Sequence, residues 1–338
     1  MKKNPREVRE ALEGQMLSPR ASFSSRTKGR EHDEAECDIR TCYQRDVDRI
    51  MYCNTFRRLK DKTQVFLRPE GDHYRTRLTH TLEVSRISRT IARGLRLNED
   101  LAEAIALAHD FGHTPFGHAG ESALDEILRD EGGFKHNEQS LRIAERIEKN
   151  GNGLNLTYET KDGILCHTGD KKPDTLEGNI VRIADRIAYV NHDLDDAIRA
   201  GILRETDIPE ELLCALGTDL GERVNTLVLD MIEESERRGE ITFSPQIAFA
   251  FEAFREFMYQ NVYLNMKAKS EESKVFGIVK EIFNFYCKTP DEMPEDYQRV
   301  SAKDGLKRAV GDYIAGMTDK YAIHMYEKLF IPEAWQVR

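Results

Sequence analysis

The chain of 338 residues has no apolar run approaching the ~20 residues that cross a bilayer. Its first residues, MKKNPREVREALEG, lack the apolar segment of a secretory signal. Both absences point to a cytoplasmic protein without membrane contact. The six cysteines (Cys37, Cys42, Cys53, Cys166, Cys214, Cys287) include no C-x-x-C pair. That excludes a zinc ribbon or a dense disulfide framework and leaves reduced thiols that pack as small apolar groups. An excess of positive charge is also missing: 50 Lys and Arg face 60 Asp and Glu, for a net charge of -10. A general nucleic-acid binder is usually basic. Residues 1–60 run the other way, with 14 basic against 10 acidic side chains. Such a segment can meet phosphates or form a solvated face. No alternating run exceeds four residues, and no internal repeat or low-complexity tract is present.

What remains is helical. Residues 1–36 predict a short helix near 6–13 followed by an irregular, mobile segment. Helical text resumes at Asp46 and breaks at the polar residues 72–77. From Thr79 the apolar residues Leu82, Val84, Ile87, Ile91 and Leu95 recur at steps of two to four. Further helices are expected at 99–110, from about Gly120, and at 136–149, 158–166 and 177–200. Three or four longer ones should fill 208–288, and one more 302–329. The fold class is all-α. The expected organisation is an N-terminal segment (1–36), a catalytic core (37–205) and a C-terminal helical region packed on it (206–338).

The chemistry concentrates in HDFGHTPFGH, residues 109–118, which holds three histidines and a carboxylate. His109 and Asp110 close one helix; His80 and Asp185 lie on two others. Two imidazoles and two carboxylates form a mixed N/O set that suits Mn²⁺, Fe²⁺, Co²⁺, Ni²⁺ or Zn²⁺, and Mg²⁺ less well. Taken alone, His80 on an apolar helix reads as a structural histidine. His118 and Glu121 are three apart on one helical face, so the carboxylate can fix the imidazole's tautomer and raise its pKa. His113 and His136 add two more imidazoles, and each of the three reads equally well as a capping or surface residue. Asp185, Tyr189 and Asp193, at i, i+4 and i+8, share a helix face that could line a sugar. Spacing alone instead makes Tyr189 core and Asp193 solvated.

These residues are similar to those of the HD-domain deoxynucleoside triphosphate triphosphohydrolases, the bacterial dGTPase-like proteins. The H…HD…D pattern matches at His80, His109, Asp110 and Asp185. CDIR (37–40), QRDVDRI (44–50), FRRLKDKTQVF (56–66), RTRLTHTLEV (75–84), HDFGHTPFGHAGE (109–121), HNEQS (136–140), GLNLTYET (153–160), ADRIAYVNHD (184–193) and DYIAGMTD (312–319) extend the resemblance over roughly residues 20–320.

The resemblance implies an HD-domain helical bundle with additional C-terminal helices. It also implies hydrolysis of dGTP, or of dNTPs broadly, to deoxynucleoside and triphosphate. His80, His109, Asp110 and Asp185 would hold the divalent metal. His118, supported by Glu121, would act as acid or base, a choice left open, while His113 and His136 would stabilise phosphate charge. Arg77 and Arg186 would bind phosphates, Gln64 and Asp193 the 3′-hydroxyl, and Tyr189 would stack under the deoxyribose; Tyr259 or Arg255 would meet the substrate further out. A homo-oligomer and a nucleotide or single-stranded DNA effector are implied as well. The competing expectations are another HD phosphohydrolase, acting on a monophosphate or phosphodiester, and a weakly catalytic nucleotide-sensing regulator.

Overall fold

A computed structural model describes residues 3–64, 75–264 and 266–332, with side chains from 273 onward in the last stretch. Val65 and Phe66 of the KTQVF motif, and residues 72–74 of the expected break, lie outside the described residues. Among the described residues there is no strand, only the isolated bridges Arg30–Thr157 and Thr63–Thr76. The all-α expectation holds, and no described helix is long and apolar enough to cross a membrane.

The chain forms two compact units, each assembled from separated segments. The first comprises Met1–Tyr52, Thr79–His109 and Asn155–Asn265; the second comprises Cys53–Leu78, Asp110–Leu154 and Met266–Arg338. This division follows packing rather than chain order and does not coincide with boundaries after residues 36 and 205.

In the first unit the helix Leu176–Arg199 packs against Glu99–Ala108, Tyr158–Cys166 and Leu220–Arg238. Thr175 caps its first turn by accepting a hydrogen bond from the Gly178 amide at 3.0 Å. Asn98 caps the second helix by accepting from the amides of Asp100 and Leu101. Ala102, Ala104, Ala106 and Ala108 are fully buried there, and such small side chains let neighbouring helices approach closely. Ile105, Ile180 and Ile187 are also fully buried, each contributing about 1.5–3 kcal/mol of apolar transfer.

The N-terminal segment departs from expectation. It begins with the helix Pro5–Met16, capped by Asn4, and its irregular continuation is anchored rather than loose. Glu177 accepts hydrogen bonds from the Ser22 and Asn98 amides at 2.9 and 3.0 Å. Asp46 pairs with Arg30 at 2.5 Å and accepts from the Thr157 amide and hydroxyl. Buried carboxylates satisfied by backbone donors fix irregular chain as firmly as a helix would.

In the second unit the helix Gly117–Ile127 packs on Met266–Lys288, which also meets Leu306–Ala315 and Asp319–Phe330. Leu124, Leu128, Phe134, Ile282, Val310 and Ile314 lie at the centre of its core. The single helix expected over 302–329 is instead three: Glu295–Asp304, Leu306–Ala315 and Asp319–Phe330. Gly305, at φ 93°, breaks the first junction, and Thr318 starts the last helix by accepting from the Tyr321 amide. The helix expected at 136–149 is regular only over His136–Arg142 and continues as a π-helical turn, Ile143–Ile147.

Candidate metal and acid/base centres

In the first unit, three helices bring His80, His109 and Asp185 together. His80 lies in the first turn of Arg77–Gly94, His109 caps the C-terminus of Glu99–Ala108, and Asp185 sits mid-helix in Leu176–Arg199. His80 Nε2 is 3.0 Å from Asp185 Oδ1, and His109 Nε2 is 3.6 Å from the same oxygen. Both histidines are buried. Burial opposes ionisation of Asp185, but the imidazoles of His109 and His80 outweigh it and hold the carboxyl far below its ordinary range.

The His109 tautomer shows what fits between these groups. His109 Nδ1–H donates to the Ala106 carbonyl at 2.7 Å, so the neutral ring carries its lone pair on Nε2, facing a carboxylate oxygen. A cation relieves that opposition, and a backbone-oriented imidazole is the usual second-shell arrangement of a metal ligand. Two imidazole nitrogens and a carboxylate oxygen fit a divalent transition metal. His167 stands beside them, its ring 5.0 Å from that of His109 and its Nδ1–H on the Ile164 carbonyl at 2.7 Å. Its sequence context, LCHTGD, gave no periodic signal that would have found it.

Further along the Asp185 helix, Asp193 is buried and accepts a 2.6 Å hydrogen bond from the Tyr263 hydroxyl. The solvated reading of Asp193 is therefore overturned. Burial, reinforced by the Asp193 charge, pushes the Tyr263 phenol well above its ordinary range, so it remains a donor. Tyr189 is half-buried, and its hydroxyl accepts from Arg255 Nε at 3.4 Å. Arg186 is half-buried beside Asp185. Tyr259 is 50% exposed, and it is Tyr263, one turn later, that engages the stripe. The two tyrosines begin and end a π-helical turn, whose register the sequence did not reveal.

The second unit holds the acid/base candidates. Arg77 Nη1 donates to Asp110 Oδ2 at 2.8 Å, and His113 Nε2 lies 3.1 Å from Asp110 Oδ1. Burial pushes the His113 imidazole well below its ordinary pKa, and the nearby Arg77 charge adds to the effect. The His113 ring stacks on His136, with centroids 4.1 Å apart. Glu121 bridges the pair His118 and His136: Oε2 is 3.3 Å from His118 Nδ1, and Oε1 is 2.9 Å from His136 Nδ1. Burial opposes ionisation of Glu121, but these contacts overcome it and hold the carboxyl far below the carboxylate range. His118 itself is 79% exposed at the side chain, open to a reacting partner. Gln64 keeps a buried amide oxygen that has no partner among the described residues.

Gly112 sets the spacing of this group. A Cβ there would stand 2.0 Å from the His136 carbonyl and 2.4 Å from the Ser140 amide, both rigid backbone. The Gly112 amide instead donates to Ser140 Oγ at 2.8 Å. Gly112→Ala should therefore lower stability by at least the ~1–3 kcal/mol typical of overpacking. A thermal melt within 1 °C of wild type, roughly the scatter of such measurements, would contradict this close approach.

Comparison with known proteins agrees with this arrangement. The HD domain family matches residues 77–190, which include His80, His109, Asp110 and Asp185, and the phosphohydrolase-associated domain matches residues 241–328. A deoxyguanosinetriphosphate triphosphohydrolase-like protein of Caldanaerobacter subterraneus subsp. tengcongensis is 53% identical over 330 residues, covering 98% of this chain and 97% of its own. One from Clostridium perfringens (strain SM101) is 49% identical, covering 97% and 98%. One from Ralstonia pickettii is 40% identical, covering 96% of each.

Proposed function

This chain belongs to the deoxyguanosinetriphosphate triphosphohydrolase-like family of HD-domain phosphohydrolases, and from that membership we propose that it is a metal-dependent hydrolase of deoxynucleoside triphosphates. Water adds at the α-phosphorus and the bond to O5′ breaks. The bonding electrons pass to O5′, which takes up a proton. The products are a deoxynucleoside and inorganic triphosphate. The observation that carries the reading is the convergence of His80 and His109 on Asp185.

His80, His109 and Asp185 hold the metal, with Asp110 as the fourth ligand, supported by its place beside His109 and the H…HD…D match. A bound divalent ion supplies positive charge to the α-phosphate and favours attack by water. Glu121 fixes the orientation of His118, which exchanges a proton with the attacking water or with O5′. His113 and His136 stabilise charge on the phosphate oxygens, and Arg77 and Arg186 bind the polyphosphate. Asp193 and Gln64 take the 3′-hydroxyl, while Tyr189 lies against the deoxyribose. Tyr263 orients Asp193, a role supported by their 2.6 Å hydrogen bond, and Tyr259 stands at the outer edge. Incubation with each dNTP over a panel of Mn²⁺, Mg²⁺, Fe²⁺, Co²⁺, Ni²⁺ and Zn²⁺ should release triphosphate. Pyrophosphate or orthophosphate as the first product would refute the reading. By family resemblance the enzyme is cytoplasmic and a homo-oligomer, with a nucleotide or single-stranded DNA effector. Light scattering tests the oligomer, and rates with and without an oligonucleotide test the effector.

Tyr189 is proposed to exclude ribonucleotides. A 2′-hydroxyl pressed onto its ring loses water without gaining a partner, at about 1–3 kcal/mol. Tyr189→Ala should narrow the preference for dGTP over GTP, chiefly by weakening dGTP turnover. An unchanged ratio of kcat/KM values, or a wild type that cleaves both equally, would remove Tyr189 from this role.

A further inference from the structure

The DYIAGMTD segment, residues 312–319, contributes no group to the chemistry above, yet its last residue holds the loop that carries it. Asp319 is 4% exposed. Its Oδ1 accepts from the Phe116 amide at 3.0 Å, and its Oδ2 accepts from the Thr63 amide at 3.2 Å and from the Thr63 hydroxyl. Phe116 has φ 66° and ψ 21°, a left-handed conformation that a bulky residue keeps only when its surroundings impose it. Gly117 follows at φ 59°, and the helix Gly117–Ile127 then presents His118 and Glu121 in its first turn. Lys62 closes the other side of the loop: its buried Nζ donates to the carbonyls of His113, at 2.5 Å, and of Ala315, at 2.8 Å. Burial pushes that ammonium down to about 7, and it can donate to both carbonyls in either protonation state.

The second aspartate of the segment acts on the neighbouring element. Asp312 is 1% exposed and accepts from Gln139 Nε2 at 2.9 Å and from Arg142 Nε at 3.0 Å. It thereby fixes the helix His136–Arg142, whose first residue touches Glu121. Gly316 to Asp319 and Asp312 thus reach both walls of the His118–Glu121–His136 group from a stretch of chain with no contact to the reacting atoms.

We propose that Asp319 is a positioning residue for the acid/base group, holding Phe116 in its left-handed conformation so that His118 and Glu121 leave the loop in the working orientation. The proposal rests on the reading of His118 given above. Asp319 cannot be replaced by a generic core contact, because three donors of two separate segments converge on one carboxylate.

The test compares Asp319→Ala and Asp319→Asn with Val310→Ala, a buried apolar truncation in the same unit, for dNTP turnover with Mn²⁺, melting temperature and deuterium uptake over residues 113–120. Asp319→Ala should lower kcat by ~30–100-fold, the scale of a misplaced reacting group, while KM changes by less than about threefold. Its uptake over 113–120 should rise. Asp319→Asn keeps one acceptor for the Phe116 amide and should recover part of the loss. Val310→Ala should melt earlier yet keep wild-type kcat. Two results would overturn the proposal: kcat within about threefold of wild type in Asp319→Ala, or the same kcat loss in Val310→Ala at an equal melting shift. If Asp319→Ala does not fold, Asp319→Asn carries the comparison against wild type under the same threefold criterion. A wild type that releases no triphosphate refutes the proposed function instead, and deuterium uptake over 113–120 then decides the role of Asp319, unchanged uptake refuting it.

Discussion

Asp185→Ala should emerge with its divalent metal lost and no triphosphate released from any dNTP. The carboxylate is the common neighbour of His80 and His109, at 3.0 and 3.6 Å. Its removal leaves two neutral nitrogens and no anionic donor among those three, and neutral imidazoles alone hold a dication poorly against water. The variant should still fold, because Asp185 retains some exposure at 18% of its side chain and the helix around it is buried through Ala184, Ile187 and Ala188. Elemental analysis of the purified protein, read beside circular dichroism and turnover, checks the expectation. Full metal occupancy with wild-type turnover would eliminate Asp185 as a ligand, and a melted protein would show that it serves folding instead. Asp185→Asn separates the two, since it keeps the volume and removes only the charge.

His118→Ala should leave metal content and dNTP binding intact and reduce turnover by ~10²–10⁴-fold, the usual cost of losing a general acid or base. The variant is unusually clean. His118 is 79% exposed at the side chain, and exposed substitutions of this kind typically change stability by only about ±0.5 kcal/mol. Glu121 keeps its second partner, His136, at 2.9 Å, so the carboxylate is not left buried and alone. A rate within about threefold of wild type would dismiss His118 from the chemistry. A loss of metal in the same variant would move it from proton transfer to ligation.

The sequence made some of this legible and concealed the rest for physical reasons. Helices with a clear 3.6-residue period and a polar cap, such as Glu99–Ala108 and Leu176–Arg199, could be read directly. The run from Glu295 to Phe330 could not: its apolar period passes through Gly305 and Gly316 without interruption, and only the left-handed φ of Gly305 and the Thr318 cap divide it. The anchored N-terminal segment was hidden because its partners lie far off in sequence: Ser22 meets Glu177, and Asp46 meets Thr157. His80, His109 and Asp185 were legible as a set through their family pattern, not through periodicity, which alone made His80 a core histidine. Tyr263 went unread because a π-helical turn alters which of two tyrosines four residues apart faces Asp193. Asp319 carried no signal at all, since a cap-adjacent acid at a helix start is ordinary on the page and becomes informative only beside the φ of Phe116.

The interleaving of the two units has a consequence for synthesis on the ribosome. Each unit draws on three separate stretches of chain, and the chain passes from one unit to the other between His109 and Asp110. The first unit lacks Tyr263 until its last stretch, Asn155–Asn265, has been made, and the second lacks Asp312 and Asp319 until Met266–Arg338 has emerged. Native pairings such as Thr63 with Asp319 span 256 residues, so a nascent chain must hold early helices with unmatched faces while the remainder is translated, at roughly 5–20 residues per second. No single cut releases either unit whole. Fragment expression is therefore the wrong way to isolate these centres, and chaperone dependence during translation is the vulnerability this topology carries.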